Sequence, residues 1–219
     1  MAKVPGFAPV KSRLQPPLSA AEADALATAF LLDRLDGVAS LSASTVLAFA
    51  PPEAEAALRA LVPPGVRLVA QRGAGLGDRL ARLFDDLLSE YAVAIALDTD
   101  SPTVPMTWVA DGLVALTGGD TDVVLGPSED GGYWAIGLRA PCPALFADVP
   151  WSTGRVLDVT LARANARGLR VRLLGRWFDV DTEADLRRLC DDVAESGGPR
   201  RTTALLRTLA TRLGAGAAR

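Results

Sequence analysis

Short β-rich apolar runs alternate with amphipathic stretches along most of this chain, and that alternation constrains the fold more than any other feature. The runs are Ser44–Ala50 ("STVLAFA"), Val66–Ala70 ("VRLVA"), Val93–Leu97 ("VAIAL"), Asp122–Gly126 ("DVVLG"), Tyr133–Leu138 ("YWAIGL") and Arg170–Leu174 ("RVRLL"). Helices are expected over Ser19–Leu35, Pro52–Leu61, Gly77–Tyr91, Pro105–Leu116, Thr153–Arg167 and Thr182–Val193. Ser19 and Glu22 have the spacing of a capping box, in which each side chain satisfies the other's backbone amide. Strand–helix alternation implies an α/β fold with a mostly parallel sheet covered by helices. The unbroken apolar runs agree, because parallel strands are buried on both faces.

The 219 residues are enough for one sizeable core and require no second. "ESGGP" (Glu195–Pro199) interrupts the pattern. One domain is therefore expected over residues 1–195, with a basic helix over 196–219 packing its leucines on the same domain. That helix carries Arg200, Arg201, Arg207, Arg212 and Arg219 and no acid. Contact with a membrane or a partner is the weaker alternative for it.

Composition removes several kinds of chemistry. The chain has no histidine, which excludes a Ser-His-Asp triad, a Cys-His pair and any histidine metal site. The formal net charge of −3 argues against a general nucleic-acid binder. Cys142 and Cys190 are the only cysteines and give no disulfide framework, so a cytoplasmic location is expected. "MAKVPGFAPVKSRL" lacks the apolar core of a secretory signal, and no apolar run is long enough to span a membrane. What is left is chemistry based on carboxylates, a hard cation, arginines and backbone amides.

In α/β sheets, ligands bind beyond the carboxyl ends of the strands. Val93–Leu97 ends there on Asp98 and Asp100. If the chain stays extended, both side chains point to one side, and two carboxylates without histidine suit Mg²⁺ or Mn²⁺. The plainer reading has Asp98 ending the strand and Asp100 capping the helix near Pro105. "WFDVDTEADL" repeats the theme with Asp179 and Asp181; there the plainer reading makes Asp181 the cap of the next helix.

Other stretches add binding groups. "PGFAPVKS" fails as a P-loop, because Val10 stands where glycine must precede the lysine. Lys11 and Arg13 can still hold a phosphate, one as a point charge and the other as a fork. Gly73, Gly75 and Gly77 lead into a helix N-terminus, where backbone can approach a base or phosphate, although a plain loop fits equally well. In "GPSEDGGYWAIGL", Gly131 and Gly132 can aim Asp130 at a substrate as a base or binding group, or form an ordinary Asp-Gly turn.

Taken together, "AKVPGFAPVKSRL", "LGDRL", "DTDSP", "LGPSEDGGYWAIGL", "VPWSTGRVLDVTL" and "FDVDTEADL" resemble the MobA-like members of the GT-A nucleotide-dependent transferases. Within that group they look most like the bacterial radical-SAM/selenodomain-associated glycosyltransferases. The resemblance spans Ala2 to about Leu189. It implies a three-layer Rossmann-like GT-A fold, a nucleotide held by the N-terminal half, and a divalent cation. Asp100 matches the dependable metal ligand, Asp181 a second ligand seen in nucleotidyltransferase relatives, and Lys11 with Arg13 the phosphate-side pair.

Three departures stand out. Phe7 and Ala8 replace the second Pro and the Gly of the pattern AK-x-P-x-P-G, which puts the nucleotide loop in question. Asp98 stands where relatives often carry a small residue, completing a D-x-D. An apolar strand normally precedes the "AK". Its absence leads to the expectation that the native start lies upstream of Met1 or that the nucleotide site is altered.

The expectation is a metal-dependent glycosyltransferase that moves a sugar from a nucleoside-diphosphate sugar to a small-molecule acceptor. Asp98, Asp100 and Asp181 would hold Mg²⁺ or Mn²⁺. Lys11, Arg13, Gly73, Gly75 and Gly77 would bind the nucleotide. Asp130 would act on the acceptor, with Gly131, Gly132, Tyr133, Trp151, Ser152 and Thr153 around it; Trp151 is equally a sugar platform or a core residue. The alternatives are a nucleotidyltransferase releasing pyrophosphate and a non-catalytic nucleotide-binding module. No nucleic-acid or membrane partner is expected.

Overall fold

The computed structural model describes residues 1–213, with side chains described as far as Leu209. The chain is α/β and divides into two compact units. Unit 1 comprises Met1–Ala70, Thr99–Thr103 and the chain from Asp179 onward; unit 2 comprises Gln71–Asp98 and Val104–Phe178.

In unit 1, β1 (Ala2–Lys3), β2 (Val46–Ala50) and β3 (Arg67–Ala70) form a parallel sheet in the order β1-β2-β3. Strand β2 is central, so consecutive residues Leu47, Ala48 and Phe49 are all buried rather than alternating. Phe49 and Leu47 pack with Ala2, Val4, Leu31, Leu35 and Leu58 in one core cluster. Helix α1 (Ala20–Ala39) starts at the expected capping box: Glu22 accepts the Ser19 amide at 2.8 Å, and the Ser19 hydroxyl accepts the Glu22 amide at 3.4 Å. It runs a turn past the expected end at Leu35. Arg201 pairs with Asp36 at the start of that turn and with Asp33 before it.

A 3₁₀ turn over Pro52–Ala54 leads into α2 (Glu55–Leu61). Helices α6 (Glu183–Ser196) and α7 (Arg200–Leu213) complete unit 1. Asp33, buried on α1, accepts the backbone amides of Arg201 at 3.1 Å and Thr202 at 2.7 Å. It thereby supplies the N-terminal cap that α7 lacks in its own sequence. Leu206 and Leu209 are buried, so the basic C-terminal helix packs its leucines on the body. Arg219 lies outside the described residues.

Unit 2 contains α3 (Leu76–Leu88), β4 (Ala94–Leu97), α4 (Met106–Gly118), β5 (Val123–Pro127), β6 (Tyr133–Leu138), α5 (Val156–Ala166) and β7 (Val171–Leu173). Its sheet has the order β4-β6-β5-β7. Strands β5 and β7 are parallel, whereas β6 is antiparallel to both neighbours. The reason is length: only Ser128–Gly132 separates β5 from β6, enough for a hairpin and too short for the crossover that a parallel pair requires. Three of the five pairings among the described residues are parallel, which is the mixed form of the expected α/β sheet. No helix among the described residues is long and apolar enough to cross a membrane.

Candidate nucleotide and cation site

Unit 1 brings together residues that lie far apart in sequence. The Lys11 ammonium forms an ion pair with Asp100 Oδ1, lies 3.4 Å from Asp181 Oδ1, and donates to the Val180 carbonyl at 2.8 Å. Its side chain is only 4% exposed, against 46% for Asp100 and 35% for Asp181. The ammonium also lies 5.4 Å from the centre of the Phe30 ring, within cation–π range. Arg13, largely exposed, binds the other oxygen of Asp181 at 2.5 Å. Two acids and two bases thus form one neutral cluster with its lysine buried and its acids facing water.

The backbone around the cluster explains the placement. Lys11 adopts the left-handed conformation (φ 49°, ψ 34°), unusual for a residue with a Cβ. A 3₁₀ turn over Ser12–Leu14 follows, anchored by the fully buried Leu14. The loops carrying the two acids are tied together: the Val180 amide donates to the Asp100 carbonyl at 2.9 Å, and the Ser101 hydroxyl donates to Asp179 at 2.5 Å. Behind them the buried Arg34 of α1 donates to the Ser101 carbonyl at 2.5 Å.

The plainer readings of both acids are ruled out. Thr182 caps α6, in a reciprocal box with Asp185, so Asp181 is not its cap. Helix α4 begins after Pro105 with no side-chain cap, so Asp100 is not its cap either. The alternation argument for Asp98 and Asp100 also fails: strand β4 ends at Leu97, and the chain bends at Thr99 and Asp100. Asp98 belongs to unit 2, where its amide donates to the Trp134 carbonyl at 2.9 Å.

The donor set around the Lys11 ammonium fits a hard divalent cation. Asp100, Asp181 and the Val180 carbonyl offer oxygen only, the ligand type that Mg²⁺ and Mn²⁺ take. Among the described residues no group of three or more His, Cys, Asp or Glu is arranged to hold a metal ion. Two carboxylates suffice for a cation that completes its shell with phosphate oxygens and water, the usual mode for Mg²⁺.

The remaining expected site residues lie in unit 2. Gly75 is the N-cap of α3, with open space where a Cβ would project. Gly73 has φ +136°, and a Cβ there would lie 2.6 Å from Asp78. Gly77 is a packing glycine: a Cβ would meet the Phe146 carbonyl oxygen at 2.5 Å and the Trp151 indole nitrogen at 2.9 Å. Gly131 (φ +88°) is pressed against Gly154, whose oxygen a Cβ would meet at 2.2 Å. Asp130 forms a tight local turn by accepting the Gly132 amide at 2.8 Å and is otherwise exposed.

Tyr133 stacks edge-on against Trp151, with ring centres 6.3 Å apart. Burial pushes its phenol well above the usual range, so the Tyr133 side chain stays neutral near pH 7. Ser152 takes a left-handed conformation (φ 63°), and the Thr153 hydroxyl donates to the Pro150 carbonyl at 2.6 Å. Sequence reasoning missed Val180, Phe30 and Arg34. A carbonyl oxygen leaves no mark in a sequence, and an arginine or phenylalanine within a helix reads as an ordinary face residue.

The family model of DUF2064, described as an uncharacterized protein conserved in bacteria, matches residues 35–153. A crystal structure from Desulfovibrio desulfuricans G20, described as a "putative nucleotide-diphospho-sugar transferase", is similar over 98% of this chain and 94% of its own, with 30% sequence identity and a TM-score of 0.91. A structure of CMP:2-keto-3-deoxy-manno-octonic acid synthetase complexed with CTP is similar over 74% of this chain and 86% of its own, with 14% identity and a TM-score of 0.54. That second likeness is one of fold. No curated protein matches the sequence.

Proposed function

The chain belongs to the DUF2064 family of bacterial proteins, and from that premise we propose that it is a metal-dependent glycosyltransferase using a nucleoside-diphosphate sugar and a small-molecule acceptor. The observation that carries the reading is the convergence of Asp100, Asp181 and the Val180 carbonyl on one cationic centre, with Arg13 beside it. The likeness to the Desulfovibrio protein supports a nucleotide-sugar donor. Asp100 and Asp181 would hold Mg²⁺ or Mn²⁺, which when bound neutralises a diphosphate and stabilises it as a leaving group. Lys11 and Arg13 bind phosphate oxygens, Arg13 by its guanidinium fork and Lys11 as a compact charge. Gly73 and Gly75, before α3, are proposed to approach the nucleotide, with Gly77 seating that helix. Asp130 is proposed to act on the acceptor from its fixed turn, with Tyr133, Trp151, Ser152 and Thr153 as lining.

Nucleotidyl transfer is the second reading, and a specific observation favours it. Lys11 pairs with Asp100 and Asp181, acids from two separate chain segments, and not with a D-x-D pair from one segment. Such a pair suits a cation held on a nucleoside triphosphate.

Thermal unfolding with a panel of nucleotides and nucleotide sugars, with and without Mn²⁺, tests the proposal, because a ligand specific to the folded state raises the midpoint. A Mn²⁺-dependent rise with one nucleotide sugar, and a nucleoside diphosphate as product, support glycosyl transfer. A rise with triphosphates alone, and pyrophosphate as product, replace it with nucleotidyl transfer. Binding unchanged by Asp100→Ala and without turnover points to a non-catalytic module.

A further inference from the structure

We infer that the Lys11 ammonium holds the divalent cation's place until phosphate draws it away, so that cation and nucleotide bind cooperatively. The inference rests on the reading of Asp100 and Asp181 as cation ligands. Those two acids and the Val180 carbonyl are the partners of a single ammonium, which is 4% exposed and stacked near Phe30. A divalent cation entering alone meets an occupied position and a like charge. It has two carboxylates to gain, and both are already neutralised, one by Lys11 and the other by Lys11 and Arg13.

A diphosphate changes that balance. Its oxygens offer Lys11 a partner as good as the carboxylates it leaves, since ammonium and phosphate pair strongly. They also complete the cation's shell, which the protein by itself leaves open. The lysine stem needs only rotamer changes to follow the phosphate, because its backbone is fixed by the left-handed turn and by the buried Leu14. Linkage then makes the effect reciprocal: the factor by which nucleotide tightens cation binding is the factor by which cation tightens nucleotide binding.

This role has an unusual sign. Removing a positive charge from an isolated phosphate site only weakens binding. Here Lys11→Met empties the position between the acids and strengthens binding of the cation alone. The test is Mn²⁺ binding to the full chain, followed by the electron paramagnetic resonance signal of free Mn²⁺, for wild type, Lys11→Met and Lys11→Arg. Each is measured alone and with an equimolar set of ADP, CDP, GDP and UDP.

The expected result is at least tenfold tighter Mn²⁺ binding by Lys11→Met than by wild type without nucleotide. Lys11→Arg stays weak, and Lys11→Met loses most of the nucleotide-dependent enhancement. Equal or weaker binding by Lys11→Met overturns the inference while leaving the acids as ligands. No Mn²⁺ binding by any of the three, with or without nucleoside diphosphates, overturns both the inference and the reading beneath it. Should Lys11→Met fail to fold, the wild-type protein decides alone. A thermal shift with Mn²⁺ and nucleoside diphosphates together that exceeds the sum of the separate shifts supports the inference, and an additive shift overturns it.

Discussion

The Ser101 hydroxyl donates to the Asp179 carboxylate at 2.5 Å, joining the two loops that present Asp100 and Asp181. Ser101 is fully buried, and the bond is to a group that is charged when ionised. Removing the hydroxyl leaves Asp179 short of a donor, a loss of about 1.5–3 kcal/mol for a bond of this type. Ser101→Ala is expected to lower the unfolding free energy measured in urea by that amount and to weaken Mn²⁺-dependent nucleotide binding. A variant with wild-type midpoint and affinity would show that the two loops are fixed by other contacts.

Asp33 is a buried carboxylate with a structural task, since it accepts two backbone amides at the start of α7. Asp33→Asn keeps the shape but loses the charge and one acceptor position. Loss of a cap of this kind costs about 0.5–2 kcal/mol. The expected result is a lower urea midpoint and earlier proteolytic cleavage within α7, read by mass spectrometry of limited digests.

A pH-dependent contribution comes from Asp122. Hydrogen bonds from the Arg170 side chain and amide hold its carboxyl well below the usual carboxylate range, against a smaller opposing effect of burial. The pair joins the start of β5 to the start of β7. A depressed acid stabilises the fold above its unfolded value, about 3.9, and loses that contribution as pH falls toward its folded value. Arg170→Gln is therefore expected to be less stable than wild type at pH 7. The gap should narrow steadily below about pH 4. Urea midpoints at pH 7 and pH 2.5 measure it; a gap that stays constant would mean the pair contributes through shape alone.

Gly131 combines a left-handed backbone with a contact that leaves no room for a side chain. Gly131→Ala combines that strain, about 1–3 kcal/mol for a residue forced into a sparsely populated region, with displacement of the Gly154 backbone. A fall of several degrees in the thermal midpoint is expected, together with loss of any activity that depends on Asp130. Gly75→Ala is the control: its Cβ projects into open space, so its midpoint should fall only by the small cost of alanine at a helix N-cap, well short of the Gly131→Ala loss.

Much of the fold was legible because it depends on local signals. Strand β6 and the Ser19–Glu22 box stand at their expected places, and β2–β5, β7 and α1–α6 begin and end within a few residues of expectation, whereas the short edge strand β1 is not among the expected strands. What was not legible depends on partners distant in sequence. The last turn of α1 lies beyond the expected end at Leu35, and Arg201, distant in sequence, pairs with Asp36 in it. The antiparallel direction of β6 is the exception, since the five-residue gap after β5 already requires a hairpin. The same division holds for the site. Lys11, Arg13, Asp100 and Asp181 were named from motifs, but their assembly around one buried ammonium was not foreseeable. It joins residues about 170 positions apart. Asp98 was grouped with Asp100 by an alternation that the bend at Thr99 breaks.

Unit 1 is made of three separate chain segments, and the cluster takes one residue or more from each. The order of synthesis follows from that. Lys11 and Arg13 are made first and Asp100 follows the Gln71–Asp98 segment of unit 2, and the Val104–Phe178 segment must still be made before Asp181 emerges. A nascent chain paused between Asp100 and Asp181 therefore carries one acid where the finished protein has two. The cluster is complete only after all of unit 2 has been made, and a nascent chain paused before Asp181 has no complete place for a cation.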